Sequence, residues 1–237
     1  MMELDVTNTD NTVEVPANRL RIIEFGLVLF VVFAQLIAVS LYVVFTGANL
    51  YGSTPGKAFT LSGILSELGS LAVLRYVLFR QGRSFSSLGL RFSWKDIPKS
   101  LLVMILAYVA LLIWWVAIGQ AYRLTGRTLN SASNNIDLPS MVSVLGLLFL
   151  ALNPFFEEIA ARAYVISEVL FFTGSRGLAV LVSVVLQSSY HLYQGLGPAL
   201  LTIPLFAVFS LYYVKTKRIT PVILAHMFFD FLALSRG

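Results

Sequence analysis

The chain has 237 residues, of which 57% are hydrophobic and only 12% are charged, and its formal net charge is +5. This composition excludes an ordinary soluble domain, in which about 25% of residues are charged. The absence of cysteine removes disulfides, thiolate metal sites and cysteine nucleophiles from consideration. The basic residues stand at the ends of apolar runs and form no stripe interleaved with aromatics, so no nucleic-acid partner is expected.

The first half of the chain predicts a tail and three membrane spans. Residues 1–18 are polar and aperiodic, which indicates a disordered tail. Residues 19–139 hold apolar runs at about 22–45, 58–79 and 97–122, each long enough for the roughly 20 residues of a spanning helix. Within the second run, Glu67 is either a cavity residue or a packed carboxyl bonded to a neighbouring serine. Residues 80–99 mix five basic with apolar and aromatic side chains; this favours an interfacial segment that includes an amphipathic helix lying on the bilayer.

The second half, residues 140–237, adds four apolar runs at about 141–172, 178–193, 198–214 and 219–234. Together the runs predict an all-α polytopic membrane protein, a bundle of about seven transmembrane helices surrounded by membrane lipid. With the N-terminus in the cytoplasm, the inside segments hold eleven basic residues and the outside segments four, as the positive-inside rule requires. We therefore expect a multi-pass integral protein with a cytoplasmic N-terminus, located in the cell membrane if the source is prokaryotic.

Residues 153–164, NPFFEEIAARAY, place three charges inside an apolar run. A carboxylate in hydrocarbon costs at least about 2.5 kcal/mol on insertion scales, so such residues usually mark a functional cavity. On an α-helix Glu158 and Arg162 share a face as i and i+4, which predicts a buried structural pair, and Glu157 is rotated away without a partner on its own helix. Pro154 removes a backbone donor and favours a local break that lets water reach Glu157. The alternative is a salt-bridged helix that only locks two spans together.

Both histidines also lie in apolar runs. Glu157 is 17 residues before Gly174 and His191 is 17 after it, so in a hairpin the two reach the same height, roughly 25 Å from the turn. His226 has Asp230 at i+4 on the same helical face. A lone histidine in such a run is more often a core residue, but these four side chains can converge in a cavity open to the cytoplasm. The set suits a glutamate base that activates water, with an oxyanion stabilised by histidine, and it can equally hold a divalent metal.

In order and spacing these residues resemble the CPBP family of intramembrane proteases, the CAAX prenyl protease and bacteriocin-processing group also called Abi proteins. The motif EExxxR is met by Glu157, Glu158 and Arg162, FxxxH is met at His191, and HxxxN/D is met by His226 and Asp230. The resemblance spans residues 141–234 and implies a catalytic helical core over residues 140–237, with the active-site cavity among its helices.

The resemblance also implies a role for each residue. Glu157 would be the general base, His191 its partner on the water, and His226 with Asp230 the oxyanion-stabilising pair. Glu158 and Arg162 would be structural. One position departs from the pattern, since Gln187 stands at the aromatic position of the second motif. This amide lies one turn before the histidine and can alter how the ring is oriented.

The expected activity is endopeptidase cleavage of a peptide, or of a prenylated or membrane-anchored protein. We favour action without a cofactor, because no HExxH motif is present. A zinc-dependent version of the protease would use Glu157, His191 and His226 as metal ligands. Two alternatives from other classes remain: a non-catalytic membrane immunity or scaffold protein that keeps the fold, and a proton-coupled carrier.

Overall fold

The fold was taken from a computed structural model that describes residues 17–47, 57–124 and 143–234. All regular structure in these residues is helical, as predicted. The predicted disordered tail lies outside the described residues, except for its last two positions, which already belong to the first helix. Parts of the predicted regions 19–139 and 140–237 also lie outside them.

The described residues make seven helical passes, which correspond to the seven predicted runs. Three long helices come first, namely α1 (Ala17–Thr46), α2 (Lys57–Arg80) and α3 (Asp96–Leu124). The fourth pass is continuous but changes its winding, from α4 (Val144–Glu157) through a π-helical segment (Glu158–Tyr164) into α5 (Val165–Thr173). The last three are α6 (Arg176–Tyr190), which ends in a 3-10 turn (His191–Gln194), α7 (Leu196–Thr216) and α8 (Thr220–Leu234).

Five of these passes are long and apolar enough to cross a membrane: α1, α2, α3, the α4–α5 pass and α7. The helices α6 and α8 have 15 residues each, fewer than the roughly 20 that a full crossing needs. Many large apolar side chains on α1 and α3 are exposed, as expected where a helix faces lipid. The chain is a multi-pass integral membrane protein.

The fourth pass is the centre of the bundle. Every side chain from residue 156 to residue 166 is buried, and Ala160, Ala161 and Ala163 keep the surrounding helices close because small residues allow helix backbones to approach. The pass packs through α4 against α2 and α8, and through α5 against α6, while α7 contacts α3 and α6. Side chains that project from residues 157–162 therefore point into protein on all sides.

The predicted break near Pro154 takes the form of a wider helix. The π-helical winding begins at Glu158, one turn after Pro154, whose ring nitrogen cannot donate a backbone hydrogen bond. Single π-helical turns inside α-helices occur frequently at functional sites. Here Glu157 immediately precedes the widened turn, Glu158 begins it and Arg162 lies inside it.

The basic segment over residues 80–99 contains no amphipathic helix, so that part of the prediction was wrong. Its helical content between α2 and α3 is one 3-10 turn (Phe85–Leu88), flanked by Gly82 and Gly89 in the left-handed conformation, which ends helical winding. Gly89 lies against the Lys217 carbonyl, and its own carbonyl accepts a hydrogen bond of 3.3 Å from the Ile219 amide. The segment is thus docked on the turn between α7 and α8.

Ion pairs close the same end of the bundle. Glu168 on α5 is fully buried and binds Arg21 of α1 at 2.7 Å as well as Arg83 after α2. Asp96, at the start of α3, is also fully buried and binds Arg218 at 2.6 Å. Several basic residues that support the predicted orientation therefore also join helices together, and the orientation itself stays a prediction.

Candidate active site

The centre of the candidate site is the predicted pair of Glu158 and Arg162, which form a fully buried ion pair. This pair also binds three other helices. Glu158 Oε1 lies 2.8 Å from His226 Nδ1 on α8, and Arg162 donates to Gln187 Oε1 on α6 at 2.7 Å and to Ser210 Oγ on α7 at 3.2 Å. The pair therefore connects the helices that carry all three sequence motifs, a role that the sequence did not reveal.

The ring of His226 is oriented by Glu158. Because a carboxylate can only accept, Nδ1 is the donor in this 2.8 Å contact. The other nitrogen, Nε2, is 3.7 Å from Asp230 Oδ1, which is too long for a hydrogen bond but within ion-pair range. The predicted neighbour Asp230 is thus present, and its side chain remains 28% exposed. This geometry leaves Nε2 free to bind a further oxygen atom.

His191 opens the 3-10 turn at the end of α6. Its Nδ1 is 2.9 Å from the main-chain carbonyl oxygen of Gln187, and since a carbonyl only accepts, Nδ1 carries the proton. The neutral ring then presents the lone pair of Nε2. The rings of Tyr190 and Phe206 lie beside it, with centroids 4.7 and 5.0 Å away, and hold the imidazole in one orientation.

The turn that carries His191 is held from α1. Ser40 Oγ donates to the Tyr190 carbonyl at 2.6 Å and accepts from the Tyr193 amide at 3.3 Å. Two turns earlier on the same face of α1, Phe33 stacks on Tyr190 with ring centroids 5.8 Å apart. No feature of α1 in the sequence pointed to this role, because Ser40 and Phe33 are ordinary residues of an apolar run.

Glu157 is 7% exposed and differs from expectation in one respect. It has a weak partner on its own helix, since Asn153 Nδ2 donates to its Oε1 at 3.4 Å. Its Oε2 has no hydrogen-bond partner among the described residues. Glu157 lies within electrostatic range of Tyr190, His191 and Asp230, so its carboxyl group is near the residues of the second and third motifs.

Gln187, the departure from the second motif, contributes through two different groups. Its side chain is a neutral acceptor for Arg162, and its main-chain carbonyl orients His191. The second contact needs no particular side chain, because every residue has a carbonyl. The amide at this position therefore belongs to the buried network around Arg162, and the hydrogen bond to the His191 ring comes from the main chain of Gln187.

The donor set for a zinc ion would be Glu157, His191 and His226. Both rings use Nδ1 on a protein oxygen, which is how metal-binding histidines are commonly oriented. Within the described part of the chain, however, no three His, Asp or Glu side chains are grouped so that they hold a metal ion. Action without a metal therefore stays a prediction.

Residues 139–232 match the family model of the type II CAAX prenyl endopeptidase Rce1-like proteins. The match contains the fourth to seventh passes with all three motifs and leaves α1 to α3 outside. None of the curated proteins and none of the solved structures matches the chain. The family match agrees with the buried contacts that join the three motifs, and it shows that residues 139–232 of this membrane protein are similar to the Rce1-like proteins of the CPBP family.

Proposed function

We propose that the protein is an intramembrane endopeptidase that hydrolyses a peptide bond with a water molecule activated by Glu157. The observation that carries the proposal is the contact of the three motifs inside the bundle. Glu158 binds His226, its partner Arg162 binds Gln187 beside His191, and Glu157 lies next to this pair with an unpaired oxygen. A protein that only binds a client has no need to keep these costly polar groups in hydrocarbon.

Glu157 and His191 each bind one hydrogen of the attacking water. The water gives one proton to Glu157 Oε2, and its second hydrogen is held by the lone pair of His191 Nε2. The oxygen then attacks the carbonyl carbon of the peptide bond and forms a tetrahedral oxyanion. A general base must be within hydrogen-bond reach of the proton that it removes. The unpaired oxygen of Glu157 can provide this contact to a water molecule in the site.

His226 stabilises the oxyanion. Nδ1 donates to Glu158 and Asp230 lies close to the other side of the ring, so the imidazole is held in one orientation. When Nε2 carries a proton, its N–H can donate to the developing charge. Collapse of the intermediate breaks the carbon–nitrogen bond, and the amine leaves with the proton that Glu157 took from the water. The products are a new carboxyl group, which retains the second hydrogen of the water, and a new amino terminus, and no step passes through a metal.

The substrate class is a membrane-associated protein, and a prenylated C-terminal peptide is its simplest representative. Two facts support this proposal. The motif residues are held within a bundle of membrane-spanning helices, where only a chain anchored in or at the bilayer is concentrated. The family that residues 139–232 match is named for CAAX prenyl endopeptidases.

The test compares wild-type protein with Glu157→Gln in proteoliposomes, with a farnesylated CAAX-type peptide as reporter. Loss of the proton acceptor at constant shape should lower turnover by roughly 10² to 10⁴, while the thermal melting of the protein is retained. His226→Ala should lower it by about 10² to 10³. Glu24→Gln is the matched control. Glu24 is also buried, but it lies near the start of α1, where it binds Arg80 and Gln81.

A wider readout covers substrates other than the reporter. Membrane proteomes from cells that express wild-type or Glu157→Gln protein are compared for new peptide termini. Cleaved proteins that appear only with the wild type would support the endopeptidase. Identical proteomes and an uncleaved reporter would contradict it and favour the non-catalytic scaffold, and transport of a solute by the same liposomes would favour a carrier.

A further inference from the structure

One buried carboxyl group has no part in the proposed reaction. Glu67 lies in the middle of α2, outside the region that matches the family, and is 7% exposed. Its Oε1 accepts a hydrogen bond of 2.8 Å from Asn153 Nδ2, and its Oε2 has no partner among the described residues. A carboxyl group inside an apolar helix is costly and usually marks function, and this one is bonded to an amide of α4, not to a serine.

The same amide nitrogen serves two carboxyl groups. Asn153 Nδ2 carries two hydrogens, of which one reaches Glu67 at 2.8 Å and the other is directed at Glu157 Oε1 at 3.4 Å. The shorter bond fixes the rotamer of Asn153, and the fixed rotamer gives Glu157 Oε1 its donor. Glu157 Oε2, which stays unpaired, is then the oxygen that can take a proton from water.

The close packing of α2 on α4 lets Glu67 reach Asn153. One turn before Glu67, Gly63 lies so close to Phe149 that a Cβ atom there would be 2.9 Å from the ring. Phe149 in turn is one turn before Asn153, so the two contacts form consecutive rungs between α2 and α4, which pack side by side. Without a side chain at Gly63, α2 approaches near enough for Glu67 to reach the amide.

We propose that Glu67 is a positioning residue for Glu157 and acts through Asn153. The proposal rests on the function proposed above and extends it, because it makes α2 a part of the site that the matched region alone leaves incomplete. Loss of Glu67 releases the Asn153 amide, and Glu157 then loses its fixed orientation toward the water. A misplacement of about 1 Å at a reacting group can cost roughly 10²-fold in rate.

The kinetic test uses the full chain in proteoliposomes with the farnesylated reporter. Glu67→Ala should lower kcat by about 10- to 100-fold and leave KM unchanged, because Glu67 touches no substrate. Glu67→Gln keeps an oxygen acceptor for Asn153 and should restore kcat to within a few-fold of wild type. Ser66→Ala is the matched control, since Ser66 is the neighbouring residue on the exposed side of α2. A normal kcat in Glu67→Ala would overturn the proposal.

A second measurement does not depend on proteolysis. Apparent melting temperatures are determined for Glu67→Ala, Glu157→Ala and the double variant, first with Asn153 present and then in an Asn153→Ala chain. With Asn153 present, the double variant should depart from the sum of the single shifts by more than about 2 °C. In the Asn153→Ala chain the shifts should add.

The two measurements separate the two claims. Additive shifts with Asn153 present, or equal coupling without it, would overturn the positioning role whether or not the protein cleaves peptides. Coupling that depends on Asn153 in a protein without any proteolysis would support the link from Glu67 through Asn153 to Glu157 and count against the proposed endopeptidase alone.

Discussion

Replacement of Arg162 by alanine should destabilise the bundle severely. The side chain is fully buried and pairs with Glu158, and it also donates to Gln187 and Ser210. Its removal leaves a buried carboxylate without its cation, which typically costs about 3 to 5 kcal/mol. At about 2 to 4 °C per kcal/mol for a chain of this size, the apparent melting temperature should fall by roughly 6 to 20 °C.

The assay is thermal unfolding in detergent, together with the yield of folded protein from membranes. Arg19→Ala is the control, because Arg19 is exposed at the start of α1. If the stranded charge causes the loss, Arg162→Met combined with Glu158→Gln should recover much of the stability, since neutral replacement of both partners removes the uncompensated carboxylate. A melting temperature of Arg162→Ala within about 2 °C of wild type would refute this reasoning.

Three further predictions concern the same framework. Gly89→Ala should lower the yield and melting temperature well beyond Gly82→Ala, since both glycines are left-handed but only at Gly89 would the new Cβ overlap the Lys217 carbonyl; equal losses would contradict this. Gln187→Ala should cost about 1.5 to 3 kcal/mol through the lost bond to Arg162 and keep activity within a few-fold, because the carbonyl that orients His191 remains; a complete loss of turnover would show a direct role for the amide. A strong chelator should leave peptidase activity unchanged, whereas inhibition that added zinc reverses, with stoichiometric metal by elemental analysis, would overturn metal-independent action.

The sequence alone determined the architecture and part of the site. Long apolar runs predict helices in a membrane protein because backbone groups in lipid must be satisfied within their own segment. The seven runs correspond to seven helical segments, of which five are long enough to cross a membrane. The i,i+4 spacing of Glu158 and Arg162 likewise predicted their ion pair, since local helix geometry alone brings such residues together. The expectation of an amphipathic helix over residues 80–99 failed because two left-handed glycines and docking on the α7–α8 turn decide that segment's conformation.

Contacts between distant helices were decided only by the tertiary structure. Nothing in the spacing indicates that Glu158 binds His226, 68 residues later, or that Ser40 holds the turn with His191 from 150 residues away. These contacts depend on which face each helix turns to its neighbours, and apolar runs that are hydrophobic all round leave that rotation undetermined. Glu67 is the clearest case. Its sequence context allowed either a serine partner or a cavity, and only the close approach of α2 at Gly63 brings it to Asn153 and Glu157.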